Sequence, residues 1–315
     1  MKKPTLTMLV GLPGSGKSTY VKENFLEENI FSSDAIREEL FGSDNNKVNT
    51  PENNQKVFTE LHKRIKERLK SGQNAVYDAT NINCKRRMAF LRELKNIPCK
   101  KYCVIIATPY EQCLINNKNR ERNVPNEVIK RMYMNWSTPY YFEGWDQIEI
   151  YYTAKKFKNM LDIFEWLEDF YNYNQKNHHH QHTLGQHCIS VGNKLSYYNG
   201  SSELVMAGYI HDCGKPFTQS FKDKKEALGD EAHYYQHHCV GAYNALFFKS
   251  GLLWEWSYEI DKVKVSALIN YHMHPYFWEN DEKNGKKTAE KYKELWGEGF
   301  YNDVMKLHTA DLACH

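Results

Sequence analysis

The feature that most constrains the fold is a glycine-rich segment near the start of the chain, GLPGSGKST at positions 11–19. It fits the pattern G-x-x-x-x-G-K-[ST], and it lies between the apolar run TLTMLVG (5–11) and a helical sequence that begins at Lys17. Such a turn directs backbone N–H groups at phosphates, and the N-terminus of the following helix favours negative charge. We therefore expect an NTP-binding loop in which Lys17 reaches the β- and γ-phosphates and Ser18 binds Mg²⁺.

The first half of the chain alternates short apolar segments with helical sequence. The predicted strands are TLTMLVG, NAVYDAT (74–80), KYCVIIAT (101–108) and IEIYYT (148–153). Strands that alternate with helices are typical of a parallel sheet flanked by helices. An α/β domain is therefore predicted for residues 1–153.

The pattern changes after this domain, and no further strand alternation is visible. Apolar residues recur at helical spacing, for example at Leu184, Cys188, Val191 and Leu195. This spacing predicts an all-α domain. The amphipathic segment FKNMLDIFEWLEDFYNY (157–173) is predicted to be a helix, and the polar residues after it a hinge. The expected organisation is an α/β domain over 1–153, a connecting helix and hinge over 154–176, and a helical domain over 177–315.

Charged residues in the first domain indicate phosphoryl transfer to a hydroxyl. FSSDAIREEL places Asp34 after an apolar pair and Arg37 one helical turn later. A carboxylate there can deprotonate a hydroxyl, although Asp34 could also simply cap a helix. Arg120 and Arg122 could clamp the transferring phosphate. The residues predicted to bind ATP, or another NTP, with its Mg²⁺ are Gly11, Gly14, Ser15, Gly16, Lys17, Ser18, Thr19 and Asp78.

Together these segments resemble the P-loop polynucleotide 5′-kinases of the AAA_33 or zeta-toxin-like type. The shared pattern comprises the glycine-rich loop, S-x-D-x-x-R, D-A-T-N, R-x-V-P-x-x-V-I-x-R-M and EGWD (143–146). The resemblance implies that Asp34 is the general base on a 5′-hydroxyl and that Arg37 contacts phosphates of the substrate. It also implies that Arg120 or Arg122 stabilises the transferring phosphate. Kinases of small molecules share these motifs, so the acceptor stays open.

The second domain concentrates histidines, since most of the 14 in the chain follow position 177. Several of them, together with two aspartates, lie on or directly after separate apolar segments, and a buried carboxylate is costly unless a cation meets it. These residues are His187, His211, Asp212, His272 and Asp311. If these side chains converge in one helical bundle, they would form a metal site. Mixed His/Asp ligation suits Mn²⁺, Co²⁺, Ni²⁺, Fe²⁺ or Zn²⁺, and oxygen-rich variants admit Mg²⁺.

The order H…HD…H…H…D, with the segments HTLGQH and HDCGKP, resembles the HD-type phosphohydrolases. The resemblance implies a first metal held by His187, His211, Asp212 and Asp311. His238 and His272 would hold a second metal or contact the substrate phosphate, and Lys215 would face that phosphate. Spacing alone does not assign His233, His237 and His274.

The combination resembles bacterial HD–polynucleotide kinase end-healing enzymes, with the order of the domains reversed. It implies a bifunctional enzyme that phosphorylates 5′-hydroxyl ends and removes 2′,3′-cyclic phosphate or 3′/2′-phosphate from broken RNA, or DNA. Sealing would fall to a separate ligase. Two alternatives stay open: a small-molecule or nucleoside kinase fused to a nucleotide phosphohydrolase, and an NTP-gated metal-binding sensor or toxin-control protein.

Composition indicates the environment in which the protein works and the kind of substrate it can bind. No stretch approaches the roughly 20 apolar residues of a membrane helix, so we expect no membrane association. The eight cysteines include no C-x-x-C pair, which favours reduced thiols and a cytoplasmic location. A net charge of +3 permits a polyanionic substrate without demanding one.

Overall fold

The computed structural model of the 315-residue chain describes residues 3–42, 50–120, 123–177, 181–223, 225–249 and 260–314. The chain divides into two compact units. The first comprises Met1–Ile129 and Pro139–Thr153, and the second comprises Lys130–Thr138 and Ala154–His315. Within the described part of the chain, no helix is both long enough and apolar enough to cross a membrane. All eight cysteines are free thiols.

The first unit is built on a five-stranded parallel sheet with the strand order β2-β3-β1-β4-β5. The strands are β1 (Thr5–Val10), β2 (Ile30–Ser32), β3 (Ala75–Asp78), β4 (Lys100–Ala107) and β5 (Gln147–Tyr152). The central strands β1 and β3 are almost entirely buried, as expected for parallel strands covered on both faces. Four strands lie where the sequence predicts them, and the short edge strand β2 is additional.

Helices connect the strands of this sheet. They are α1 (Lys17–Asn24), α2 (Ser33–Phe41), α3 (Pro51–Lys70), α4 (Cys84–Glu93), α5 (Tyr110–Lys118) and α6 (Asn126–Met134). The longest, α3, begins with Pro51 after Thr50, whose side chain accepts a hydrogen bond from the backbone N–H of Asn53. Since consecutive strands are parallel, their carboxyl ends share one edge of the sheet, and the loops at that edge are where α/β folds bind ligands.

The second unit is helical, as predicted. Its helices are α7 (Ile163–Asp169), α8 (Leu184–Tyr197), α9 (Ser202–Ile210), α10 (Lys215–Thr218), α11 (His237–Ala245), α12 (Lys262–Tyr271), α13 (His274–Glu279), α14 (Gly285–Trp296) and α15 (Glu298–Leu312). An antiparallel ribbon of β6 (Ser220–Lys222) and β7 (Leu228–His233) is added to them. The structure therefore confirms an α/β domain followed by a helical one.

The segment expected to form one helix over 157–173 is shorter and interrupted. A 3₁₀ turn covers Lys155–Asn159, and α7 begins only after Asp162, whose carboxylate accepts hydrogen bonds from the backbone N–H groups of Phe164 and Glu165. This cap satisfies the free N–H groups at a helix start and so ends any continuous helix there. The prediction of an uninterrupted helix was wrong for this reason.

Residues Lys130–Thr138, at the end of α6 and after it, pack within the second unit. The Tyr133 hydroxyl donates to Oδ1 of Asn244 at 2.6 Å, and the indole of Trp136 meets the ring of Tyr243 with centroids 4.8 Å apart. Trp136 is fully buried. The second unit therefore includes a segment that precedes β5 in the chain, which the sequence does not indicate.

Candidate active sites

The glycine-rich loop between β1 and α1 is held by neighbouring side chains. Thr108 donates its hydroxyl hydrogen to the carbonyl of Ser15 at 2.9 Å, and the amide of Asn116 donates to the carbonyl of Gly14 at 2.9 Å. Gly14 and Gly16 have φ angles of +78° and +91°, which favour glycine. A Cβ at Gly14 would lie 2.2 Å from the carbonyl oxygen of Cys113. The loop is therefore built as a preformed cradle.

Lys17, the first residue of α1, turns its ammonium group into this loop. The Nζ atom donates to the carbonyls of Gly11 and Leu12 at 3.0 and 2.8 Å. Desolvation lowers the pKa of Lys17, whereas Asp78 and other acidic groups oppose that shift. The ammonium is therefore available to replace its backbone partners with phosphate oxygens.

Four of the predicted kinase residues influence one another electrostatically. Burial raises the pKa of Asp78, which ends β3, and Asp34 raises it further, while Lys17 and Arg120 lower it. Arg120 also acts on Lys17. Two carboxylates and two cations thus face one region at the carboxyl edge of the sheet. That is the charge arrangement that a phosphoryl group and its Mg²⁺ require.

Asp34 is held by Arg37, one helical turn later in α2. The guanidinium donates to Oδ1 of Asp34 at 2.7 Å and to Oδ1 of Asn54 at 3.0 Å. Arg37 is buried, whereas the side chain of Asp34 is 57% exposed. The hydroxyl of Ser32, rather than Asp34, caps the helix. The arrangement leaves the Asp34 carboxylate oriented and accessible, and it places Arg37 behind that carboxylate.

A buried ion pair that sequence reasoning missed supports this edge of the sheet. The guanidinium of Arg87 donates to both carboxylate oxygens of Glu143, at 2.8 and 2.5 Å, and neither side chain is exposed. Arg87 also donates to the carbonyl of Asn81 at 2.8 Å, and the indole of Trp145 donates to Glu143. The EGWD segment therefore anchors the loop after β3. The basic run around Arg87 carries no sequence signal for this role.

In the second unit, six side chains from different helices meet in a buried cluster. They are His187 on α8, His211 and Asp212 after α9, His237 at the start of α11, His272 after α12 and Asp311 on α15. His187, His211 and Asp212 form one group, and Asp212, His237 and His272 form another. In each group the potential ligand atoms lie within 4.8 Å of one another. Asp212 therefore belongs to both groups.

Distances within the cluster show how Asp212 joins two pairs of histidines. The Nε2 atoms of His187 and His211 are 3.2 Å apart, and those of His237 and His272 are 3.3 Å apart. Oδ2 of Asp212 lies 3.7 and 3.4 Å from the first pair. Oδ1 lies 3.2 and 3.9 Å from the second pair. The carboxylate is placed to bridge two positions.

The outer nitrogens of these four histidines identify the tautomer. Each Nδ1 donates to a backbone carbonyl, at 3.1, 2.9, 2.8 and 2.7 Å for His187, His211, His237 and His272 respectively. The carbonyls can only accept, so in the neutral rings each Nε2 carries a lone pair. Lone pairs that face each other at 3.2 Å repel unless a proton or a metal ion lies between them. The donor set therefore fits divalent metal ions.

Asp311 completes the first group from α15. Its Oδ1 lies 3.0 Å from Nε2 of His187 and 3.5 Å from Nε2 of His211. Its Oδ2 accepts a hydrogen bond from the hydroxyl of Tyr276 at 2.9 Å. One oxygen of Asp311 thus faces the histidine nitrogens, and the other is held by the Tyr276 hydroxyl.

The charges of the cluster favour a cation. Burial alone would raise the pKa of Asp212, but Lys215 and the histidines hold it well below the usual range. Burial alone would lower the pKa of His211, but Asp212 and Asp311 raise it well above its usual value. Burial and the neighbouring histidines lower the pKa of His272 to about 3. Protons or metal ions bound between these groups neutralise the carboxylates.

Lys215 is buried beside this cluster. Its Nζ lies 2.7 Å from Oδ2 of Asp212 and donates to Oε1 of Gln175 at 2.7 Å. The ring of Tyr234 lies against the ammonium, 5.5 Å from centroid to Nζ. The cation is therefore engaged with the bridging carboxylate, whereas the resemblance to HD-type phosphohydrolases implies that it faces a phosphate.

The other histidines considered from the sequence have different surroundings. His238 belongs to neither potential ligand group, and its adjacent residue His237 takes part instead. His274 is packed among aromatic rings, and His233 stacks on Tyr235 with ring centroids 5.3 Å apart. Arg122 lies outside the described residues.

Comparisons with known proteins agree with the two-part organisation. Residues 6–139 match the AAA_33 model, an AAA domain, and residues 184–311 match the HD domain model. The chain therefore carries an AAA_33 P-loop kinase domain followed by an HD domain. L-seryl-tRNA(Sec) kinase of Methanococcus maripaludis is 29% identical over 152 residues, which are 46% of this chain. The chain spans 57% of the length of that relative.

Solved structures resemble the chain over less than half its length. A putative kinase from Chloroflexus aurantiacus is 17% identical, with a TM-score of 0.41, and the similarity covers 49% of this chain and 88% of the other. A chain of the Pnkp1/Rnl/Hen1 RNA repair complex is 21% identical, with a TM-score of 0.36, and the similarity covers 43% and 44% of the two chains.

Proposed function

We propose that this chain is a bifunctional end-healing enzyme for broken RNA. The first domain phosphorylates 5′-hydroxyl ends with ATP, and the second removes 2′,3′-cyclic phosphate or 3′/2′-phosphate ends with divalent metal ions. The observation that carries the proposal is that each of the two domains brings together its own set of groups suited to phosphoryl chemistry. One set suits transfer to a hydroxyl, and the other suits hydrolysis.

In the kinase reaction, Asp34 accepts the proton of the attacking hydroxyl. Its exposed carboxylate is accessible to a substrate, and Arg37 orients it. The loop amides and Lys17 would bind the phosphates of ATP, Ser18 and Asp78 would hold Mg²⁺, and Arg120 would stabilise the transferring group. ATP is the natural donor, although the loop itself would accept another NTP.

In the hydrolytic reaction, the carboxylate of Asp212 and the paired histidines would hold divalent metal ions. His187, His211 and Asp212 would form one ligand set, with Asp311 added from beside His187, and Asp212, His237 and His272 would form the other. Such ions polarise a phosphoryl group and lower the pKa of water. Lys215, 2.7 Å from Asp212, fixes the orientation of the bridging carboxylate.

The chemistry of the two proposed reactions favours RNA as the substrate class. A 2′,3′-cyclic phosphate forms only where a 2′-hydroxyl adjoins the break, and the partner end is then a 5′-hydroxyl. Ligation requires a 3′-hydroxyl and a 5′-phosphate, which the two proposed reactions supply. A relative named for a tRNA-linked acceptor supports a hydroxyl carried by RNA. A separate ligase would seal the healed ends, and the setting is cytoplasmic.

The test uses an RNA oligomer with a 5′-hydroxyl and a 2′,3′-cyclic phosphate, incubated with ATP and either Mg²⁺ or Mn²⁺. Mass spectrometry should show gain of a 5′-phosphate and loss of the 3′-terminal phosphate. Parallel reactions contain free nucleosides and sugars. An oligomer unchanged at both ends with either metal refutes the proposal, and phosphorylation of nucleosides alone favours a small-molecule kinase.

A second candidate acceptor is a hydroxyl on an aminoacyl-tRNA. The 29% identity with L-seryl-tRNA(Sec) kinase favours testing it. Seryl-tRNA is therefore added as a further substrate, with uncharged tRNA as the control. Phosphate transfer to the seryl group, without transfer to 5′-hydroxyl ends, would identify this acceptor.

A further inference from the structure

An exposed aromatic side chain lies beside the metal-ligand cluster of the HD domain. Phe277, on α13, is 55% exposed, and it follows the ligand residue His272 by five positions. Single exposed apolar residues are common on proteins, so exposure alone implies nothing. The position of Phe277 relative to the cluster is what distinguishes it.

Two histidines connect Phe277 to the cluster. The ring centroids of His238 and His272 are 6.3 Å apart, and those of His238 and Phe277 are 6.5 Å apart. The ring of His274 also lies near Phe277, with centroids 6.1 Å apart. The side chains of His272, His238 and Phe277 therefore form a series that leads from the buried cluster to the exposed ring.

A nucleoside 2′- or 3′-phosphate carries both groups that this arrangement could bind. Its phosphate is the group that metal ions bind, and its base is separated from that phosphate by one ribose. With the phosphate at the cluster, the ribose would pass His238 and the base would reach the solvent-facing ring. Stacking on an aromatic ring is tolerant of base identity because every base has a π-face.

We propose that Phe277 is the stacking platform for the terminal nucleobase at the HD site, so that this site selects nucleoside 2′- or 3′-phosphates over base-free phosphate esters. The proposal rests on the proposed function of the HD domain and specifies its substrate. His238, half-buried between His272 and Phe277, lines the path of the ribose, and it belongs to neither potential ligand group among the described residues. Selection by stacking suits an enzyme that must accept an end of any sequence.

The experiment measures binding rather than turnover. The full-length protein, loaded with Mn²⁺, is titrated calorimetrically with adenosine 3′-monophosphate and with inorganic phosphate. Phe277→Ala and Phe277→Leu should weaken nucleotide binding by about 5- to 150-fold, the range of one base–aromatic stack, and should leave phosphate binding unchanged. Phe277→Trp should retain nucleotide affinity. Tyr197→Ala, at a side chain 81% exposed on α8, is the control and should change neither ligand.

Two outcomes overturn the proposal: equal weakening for both ligands, or nucleotide affinity unchanged in Phe277→Ala. Each is distinct from failure of the proposed function. If wild-type protein hydrolyses cyclic phosphate ends but Phe277→Ala binds the nucleotide normally, the function stands and the platform does not. If the nucleotide binds through Phe277 but no phosphate is released from RNA ends, the platform stands and the end-healing activity does not.

Discussion

The hydroxyl of Tyr276 donates a 2.9 Å hydrogen bond to Oδ2 of Asp311, whose other oxygen lies 3.0 Å from Nε2 of His187. The ring of Tyr276 packs edge-to-face on His308, with centroids 4.4 Å apart. This packing restricts the hydroxyl, and the hydroxyl in turn restricts the carboxylate. Tyr276 therefore orients Asp311, which we propose as a metal ligand.

Tyr276→Phe should lower the affinity of the HD domain for Mn²⁺ by about 10- to 100-fold, the usual effect of losing a partner that orients a ligand. Metal titration followed by calorimetry measures the change. The control is Tyr209→Phe, which removes a hydroxyl bonded to Asn193 on the same unit. Equal metal affinity in Tyr276→Phe and wild type would show that Asp311 needs no such support.

Gly14→Ala should abolish NTP binding because the added Cβ would lie 2.2 Å from the Cys113 carbonyl and would displace the loop. Gly72→Ala is a matched control, since Gly72 has nearly the same φ, +79°, and has nothing within 4 Å of its Cβ position. Fluorescent ATP-analogue binding and thermal unfolding distinguish the two. Gly72→Ala should lose some stability and retain binding, and wild-type affinity in Gly14→Ala would contradict a preformed cradle.

Sequence patterns predict most of the fold because period and turn chemistry are local. The alternation of strands and helices, the glycine-rich turn and the HD pair all depend on neighbours in the chain. Which of His237 and His238 joins the cluster does not depend on such local patterns. Gln236 adopts a left-handed conformation, with φ +64°, directly before α11, and this sets which of the two rings faces the cluster. Adjacent histidines cannot be separated by spacing.

Pairings between distant positions escaped prediction for a similar reason. Arg87 and Glu143 are 56 residues apart, and each resembles an ordinary surface residue in its own segment. The cap at Asp162 ends a pattern that otherwise favours a continuous helix. Such features depend on tertiary contacts that override local preference.

Removing one partner of the buried Arg87–Glu143 ion pair should lower the free energy of unfolding, because the remaining charge is left without a counter-charge. Arg87→Met leaves a buried carboxylate unpaired, and Glu143→Gln leaves a buried guanidinium without its counter-charge. Each should destabilise the first unit by about 3–5 kcal/mol. The double variant Arg87→Met/Glu143→Leu should lose less than the sum of the single effects. Urea denaturation measures all three, and strictly additive losses would indicate that the residues do not interact.

The two activities should be separable by substitution. Lys17→Ala or Asp34→Ala should abolish 5′-phosphorylation and spare the 3′ reaction, because these residues belong to the kinase domain alone. Asp212→Asn should abolish the 3′ reaction and spare the kinase, since the bridging carboxylate serves both ligand groups. Assays on one doubly reactive RNA oligomer, with thermal unfolding as a folding check, measure both. Loss of both activities from a single folded variant would indicate one composite site.

His274 should make the stability of the protein depend on pH. Burial among aromatic rings lowers its folded-state pKa to about 4, from an ordinary value near 6.5. The unfolded chain therefore binds a proton more readily, and stability that is present above pH 6.5 is lost as the pH falls toward 4. About 2 kcal/mol should be lost between pH 8 and pH 5 from this residue. Denaturation of wild type and His274→Phe at both pH values measures this loss, which should be absent from the variant. An equal loss of stability in both proteins would contradict a lowered pKa for His274.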